Sequence, residues 1–582
     1  MILVFALLLS TQATGQAAAD TPPPIGQLQG ELAHLWDADT AARRPVESQI
    51  VYSESNKAGY PDYKIEGVYV NGVEDETGTD RIFFYYSRPK KPAGKLPVFI
   101  ELTGGAKDET ANVWMASVLK CAVVHVEYRC FEASLRSKWA GYPRPGRAMP
   151  TVYDMSSLRS NFLYRMVAGT RRVIDYLSTR PEVDAANIGC GGGSLGGYLT
   201  LLLAGVDPRI RFGVDELGAG WKSDSQSIFS NLGLPDEYKA VWSKAFNAYS
   251  YAPGTKARIY VNLSANDATF WLGDGLDNYA ALTGEKRLGL SPNDDHSWSS
   301  FGQDHYLPLF TWVPYCIGAE KDYPEITAVR TQGNRYFMTV KDSVPIKQAS
   351  LYWSPGEKLG WPARYWKEIP ATLDDGSWQA EIPEQYSKLA KYVFMNVVDA
   401  GARRASSVPV FTPGSDPREA AGPLWEDGQL WDARHGASAW RPVGGGSARR
   451  GAMKSHVAFS PPHTLSVGPE KGGRHFTLVT NSIILAAGHA KAHRGLELSV
   501  DGNGRPGELL IGLLRNTGSA KTEEELLHTL RYGPTRSAYR IPWSEFIDVK
   551  NPGRSPLGFD GLRIDGARDD GSAVTLGDMT LF

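Results

Sequence analysis

A serine, an aspartate and a histidine stand in the chain order Ser194, Asp267, His296. The serine lies in Gly192-Gly193-Ser194-Leu195-Gly196, a G-x-S-x-G pattern. A hydroxyl is a poor nucleophile at neutral pH unless a base takes its proton, and the base needs a carboxylate to orient it. Glycines two residues either side of the serine let a strand double back into a helix with no room taken by Cβ atoms. The hydroxyl then sits at a helix N-terminus, where backbone amides favour developing negative charge. Together these residue types can carry out acyl transfer through a covalent intermediate.

The partners must come from the ends of later strands, where open α/β sheets carry their sites. The run ARIYVNLSA leads into Asn266-Asp267, and KRLGLSPNDD leads into His296. Asp215 and Glu216 also close a strand-like run, FGVDE, and rival Asp267 as the acid. Asp267 is preferred because it directly precedes the last strand. Asp274 and Asp277 read as solvated loop carboxylates. His305 rivals His296, but it falls within a closing helix. One oxyanion donor is expected from the backbone N–H of Leu195. A second is expected from Thr103-Gly104-Gly105-Ala106, after the strand LPVFIEL, with Gly104 and Gly105 free to approach a ligand closely. Tyr128 is a weaker candidate. Trp221, Phe270, Trp271 and Trp298 fall in loops expected to ring the site, where aromatics can bind an acyl group or sugar or serve as packing.

The elements that position these residues alternate. Tyr63 to Val70 and Arg81 to Arg88 read as strands over turn chemistry. Leu96 to Leu102 and Ala122 to Glu127 are apolar and β-branched, as central parallel strands are. Asp108 to Leu119 and Ser157 to Thr179 read as helices, the latter with a stripe of Phe162, Met166, Val173, Ile174 and Leu177. Glu31 to Arg44 has helical composition, after a linker from Pro22 to Gly26. Asn187 to Gly191, Ile210 to Val214, Ala257 to Leu263 and Lys286 to Leu290 are further strands, with Gly218 to Ser250 an irregular insertion. His305 to Cys316 closes as a helix. This is the pattern of an α/β domain with a mostly parallel sheet. Beyond Lys321 only strand candidates follow, first in an immunoglobulin-like pattern, then in a jelly-roll pattern. The expected units are a signal peptide (1–19), a catalytic α/β domain (20–320), an immunoglobulin-like sandwich (321–413) and a jelly roll (414–582).

Composition narrows the function. The chain has 582 residues and a formal net charge of -2 with mixed signs, which disfavours nucleic acid as a partner. Sixteen Trp and 27 Tyr suit β-sandwich cores and carbohydrate stacking. Ile2 to Leu9 is an apolar run before Ala17-Ala18-Ala19, the layout of a secretory signal, so export to a periplasmic or extracellular site is expected. No later run is long enough to span a bilayer. Cys121, Cys130, Cys190 and Cys316 show no metal spacing, and buried thiols are expected. No metal or organic cofactor is required.

The run DYLSTRPEVDAANIGCGGGSLGGYLTLLLAGVDPRI resembles the α/β-hydrolase superfamily, in its acetyl xylan esterase and dienelactone-hydrolase-like branch. The segment ANDATFWLGDGLDNYAALTGEKRLGLSPNDDHSW is similar to the PhoPQ-activated pathogenicity-related proteins, which share its Asp, aromatic pair, Leu-x-Gly-Glu-Lys run and Pro-Asn-x-x-His-Ser. The resemblance implies an α/β-hydrolase fold over about residues 60 to 320, with Ser194, Asp267 and His296 as the triad. The Arg-Gly-Gln motif of acetyl xylan esterases is missing. The C-terminal part resembles galactose- or carbohydrate-binding jelly rolls. The expected activity is a serine carboxylesterase that deacylates a polysaccharide or oligosaccharide. A serine peptidase of the prolyl-oligopeptidase-like group, or a non-catalytic carbohydrate binder on a hydrolase scaffold, is the alternative.

Overall fold

The computed structural model describes residues 22–37, 45–103, 109–128, 136–142, 150–222, 234–267, 269–292, 296, 307–356 and 366–415, together with 429–431, 441–442, 455–460, 464–469, 475–480, 493–515, 524–547 and 561–582. The expected signal segment, Cys130, Gly104, Gly105, Trp298 and His305 lie outside the described residues.

A nine-stranded sheet organises the first part. Its strands are β1 (Gln49–Lys57), β2 (Tyr60–Asp75), β3 (Gly78–Pro89), β4 (Leu96–Thr103), β5 (Ala122–Glu127), β6 (Val183–Gly193), β7 (Ile210–Glu216), β8 (Arg258–Ser264) and β9 (Lys286–Ser291). Their order is β1-β2-β3-β5-β4-β6-β7-β8-β9. β1 to β3 are antiparallel and β3 meets β5 antiparallel; from β5 to β9 every pairing is parallel. The helices are α1 (Ile25–Leu32), α2 (Glu109–Leu119), α3 (Phe162–Ser178), α4 (Leu195–Val206), α5 (Asp236–Phe246), α6 (Leu272–Ala281) and α7 (Leu307–Cys316).

Strand alternation feeds two cores. Val98, Ile100 and Leu102 of β4 join α3 and α4 in the main cluster. Phe99, between them, joins Met115 and Leu119 of α2 and Leu309 and Trp312 of α7 on the other face. A parallel strand covered on both faces must be apolar at both parities, and LPVFIEL is. Asn161 caps α3, its side chain accepting from the Leu163 N–H. Three free thiols, Cys121, Cys190 and Cys316, are buried. Burial pushes Cys121 and Cys190 up to about 12, so both stay protonated and inert.

Several expectations need correction. Among the described residues the first helix is Ile25–Leu32, which takes in Ile25 and Gly26 of the expected linker and only the first two residues of the expected Glu31 to Arg44 helix, whose residues 38–44 lie outside the described residues. Gly218 to Ser250 is not wholly irregular, because Asp236–Phe246 is helical and buries Val241, Trp242, Ala245 and Phe246. Asp274 and Asp277 lie in α6 rather than in a loop, and Asp274 is buried. β1 is not legible in the sequence, since QIVYSESNK lacks alternation: three apolar residues, Ile50 to Tyr52, are followed by five polar ones.

The second part is antiparallel. Its strands are β10 (Glu325–Gln332), β11 (Arg335–Lys341), β12 (Ile346–Pro355), β13 (Lys367–Pro370), β14 (Thr372–Asp374), β15 (Ser377–Glu381), β16 (Lys391–Asp399), β17 (Arg404–Ser406) and β18 (Val410–Thr412). They form two sheets, β10-β11-β15-β14 and β13-β12-β16-β17, with β18 also on β16. Met338 of one sheet and Leu351, Trp353 and Met395 of the other share one core. Trp366 and Phe394 instead join the core of the first part, so the two parts are packed together. The third part has two further antiparallel sheets around Phe476, Leu498, Ile511, Ile564 and Leu576, a cluster separate from the others.

Candidate functional site

β6 ends at Gly193, and α4 begins at Leu195. Ser194 is the single residue between them, at φ 60° and ψ -120°. That left-handed backbone is costly for a residue with a side chain and persists only where its surroundings impose it. Here the Ser194 N–H donates to the Glu216 carbonyl at 2.8 Å, and its own carbonyl accepts from the Tyr198 N–H at 3.0 Å. The close approach behind the turn demands glycine. A Cβ on Gly192 would stand 1.8 Å from the Leu102 carbonyl oxygen. Gly197, outside the G-x-S-x-G pattern, is equally constrained, with a Cβ there falling 2.3 Å from Asp215 Oδ1.

The Ser194 hydroxyl lies 2.8 Å from His296 Nε2. The other ring nitrogen, Nδ1, lies 2.7 Å from Asp267 Oδ2. The second carboxylate oxygen of Asp267 accepts from the Thr269 and Phe270 N–H groups at 2.6 and 2.9 Å. Both oxygens are therefore directed, and the ring is buried and oriented. Phe270 packs on the imidazole at 5.7 Å between centroids and on Tyr198 at 6.3 Å. The structure thus brings Ser194, Asp267 and His296 into one hydrogen-bonded line.

The rivals go elsewhere. Asp215 is fully buried and accepts from the Gly218 N–H at 3.0 Å, and burial pushes its carboxyl well above the usual range. Burial that disfavours the carboxylate form makes Asp215 a poor partner for an imidazolium. The Tyr128 hydroxyl donates to the Met166 carbonyl at 2.6 Å and also meets Thr170, which ties it to α3 within the core. Leu195, whose amide is an expected oxyanion donor, opens α4. Trp221 is buried and stacks on Trp242 at 5.3 Å. Trp271 is half-buried at the start of α6.

Sequence reasoning missed two asparagines. Asn247 accepts from the Trp221 N–H at 3.0 Å and donates to the Trp221 carbonyl at 2.7 Å. Asn278 does the same for Gly220, at 3.3 and 2.7 Å. Together they pin the loop after β7. No sequence signal marks them, because each acts on a residue 26 or 58 positions away. Among the described residues no group of three or more His, Cys, Asp or Glu is arranged to hold a metal ion, and no helix is long and apolar enough to cross a membrane.

No family model matches the chain. An acetyl esterase of Xylanibacter ruminicola is 31% identical over 146 residues, covering 23% of this chain and 32% of that protein. The chain spans about a third of the length of that curated relative. Solved structures that superpose include an acetyl xylan esterase from Paenibacillus sp. R4, at 19% identity and TM-score 0.40, over 50% of this chain and 99% of that one. Acetyl xylan esterase 1 from a Thermoanaerobacterium species aligns at 18% identity and TM-score 0.39, over 52% and 98%. A glucuronoyl esterase from Solibacter usitatus aligns at 14% and 0.33, over 47% and 86%.

Proposed function

We propose that the chain is an exported serine carboxylesterase that removes acyl groups, acetyl foremost, from a polysaccharide or oligosaccharide. The observation that carries this reading is the Ser194–His296–Asp267 hydrogen-bonded line. His296 Nε2 takes the proton of Ser194 as the hydroxyl oxygen attacks the ester carbonyl. Asp267 fixes the ring tautomer and stabilises the imidazolium that forms. The tetrahedral oxyanion takes the Leu195 amide and an amide of the Gly104–Gly105 loop. His296 then gives its proton to the departing sugar oxygen as the ester C–O bond breaks, and water releases the acyl group by the same route. Similarity to an acetyl esterase supports acetyl as the acyl group. In this reading the antiparallel parts are an immunoglobulin-like sandwich and a jelly roll that binds carbohydrate.

The test is turnover of p-nitrophenyl acetate and release of acetate from acetylated xylan by the purified chain. Ser194→Ala is expected to abolish both, together with fluorophosphonate labelling, while leaving the far-UV spectrum unchanged. Retained turnover in that variant, or cleavage of peptide nitroanilides in preference to esters, would overturn the reading. Tight glycan binding without labelling of Ser194 would point to a non-catalytic binder.

A further inference from the structure

A parallel sheet leaves one row of backbone groups unpaired at each edge, and β9 is an edge. In a parallel strand both backbone groups of one residue point to the same side. Ser291 faces β8, where its carbonyl accepts from the Ala265 N–H at 2.9 Å. Leu290, next to it, faces outward. Its N–H donates to Ser406 Oγ at 2.8 Å, and its carbonyl accepts from Asn396 Nδ2 at 2.9 Å. Ser406 and Asn396 are direct cross-strand partners on β17 and β16 of the second part. Two adjacent side chains thus stand in for the tenth strand that the sheet lacks. Arg404 adds two contacts alongside, with Nη1 donating to Ser291 Oγ at 3.1 Å and its carbonyl accepting from the Tyr260 hydroxyl at 3.0 Å. Asn396 and Ser406 are buried, so water does not compete for these bonds.

The place where this clasp closes has a consequence. Leu290 and Ser291 end β9, and His296 follows five positions after Ser291 in the sequence. Ser291 also ties to Ala265, two residues before Asp267. The clasp therefore fixes the strand ends from which both the base and the acid are projected. We propose that Asn396 and Ser406 are positioning residues for His296, so that the second part completes the catalytic unit rather than serving as an appended module. This rests on the esterase reading above.

The experiment compares the full chain with Asn396→Ala, Ser406→Ala and the double variant, using p-nitrophenyl acetate. A misplacement of about 1 Å costs up to about 100-fold in rate, so kcat should fall on the order of 10- to 100-fold in the double variant while KM stays near wild type. The acid limb of the kcat/KM profile should also move to lower pH, because an imidazole that loses its carboxylate partner holds its proton less tightly. Ser406→Thr, which keeps the acceptor, should recover most of the loss. Trp353→Leu, in the second part's own core, serves as the control for destabilisation without movement of the clasp. The proposal fails if the double variant keeps its kcat and acid limb, or if Trp353→Leu reproduces both changes. Where the double variant does not fold, the single variants are read by the same criteria. A wild-type chain without ester turnover or Ser194 labelling would instead sink the esterase reading, before any variant is compared.

Discussion

Asp267 and Asp215 are both buried carboxylates near the nucleophile turn, and their surroundings separate them. Asp267 has both oxygens aimed, one at the imidazole and one at two backbone amides. Asp215 meets a single amide, and burial raises its carboxyl well above the usual range. Asp267→Asn should therefore lower kcat by on the order of 10⁴, since an amide selects the wrong tautomer. Asp215→Asn should leave ester turnover unchanged, because its amide oxygen can still accept from Gly218. The same contrast sets a pH dependence of stability. Asp215 is raised in the folded state, so its contribution is complete below the ordinary value of 3.8 and is lost as pH climbs through the folded value. Thermal melting of Asp215→Asn followed across pH should lack that decline. That Ser194, Asp267 and His296 would meet was legible because each follows a strand-like run. Which acid faces the ring was less so, since FGVDE and ARIYVNLSAND look alike until the helix over Asp215 is in place.

At the scale of elements, the nucleophile turn is a contact between four of them. β6 feeds it, α4 leaves it, β4 passes behind Gly192, and β7 passes beside Gly197. Gly197→Ala would set a methyl against Asp215 Oδ1 at 2.3 Å and the Glu216 carbonyl at 2.8 Å. Such overpacking costs about 1–3 kcal/mol. The melting temperature should fall, by roughly 2–4 °C per kcal/mol for a domain of this size, and Ser194 labelling should slow with it. The parallel strands are readable from short unbroken β-branched runs and α3 from its period, because burial on both faces or on one stripe writes itself into the residue types. α5 is not, as DEYKAVWSKAF mixes charges with only four buried positions. Nor are Asn247, Asn278, Asn396 and Ser406, whose partners are backbone groups distant in sequence.

Taken whole, the molecule divides its cores unevenly. Trp366 and Phe394 of the second part belong to the core of the first, whereas the third part keeps a cluster of its own. A chain ending after Ser415 should keep its kcat on p-nitrophenyl acetate. One ending after Lys321 should melt lower or aggregate, since it would strip the cover from Trp312, Tyr260 and the β9 edge. The two borders of the large sheet are thus treated differently. At the far border lies β1, the outermost strand, with Ile50 and Val51 each nearly half exposed at 47% and 49%. Among the described residues no strand pairs with the outer side of β1, and an open, partly apolar border is a template for pairing with a second molecule. Concentrated solutions should therefore scatter light through association at this rim, and Val51→Lys should suppress the scattering without touching turnover. The concentration at which that scattering sets in should then rise in Val51→Lys, which sets how densely each form can be stored.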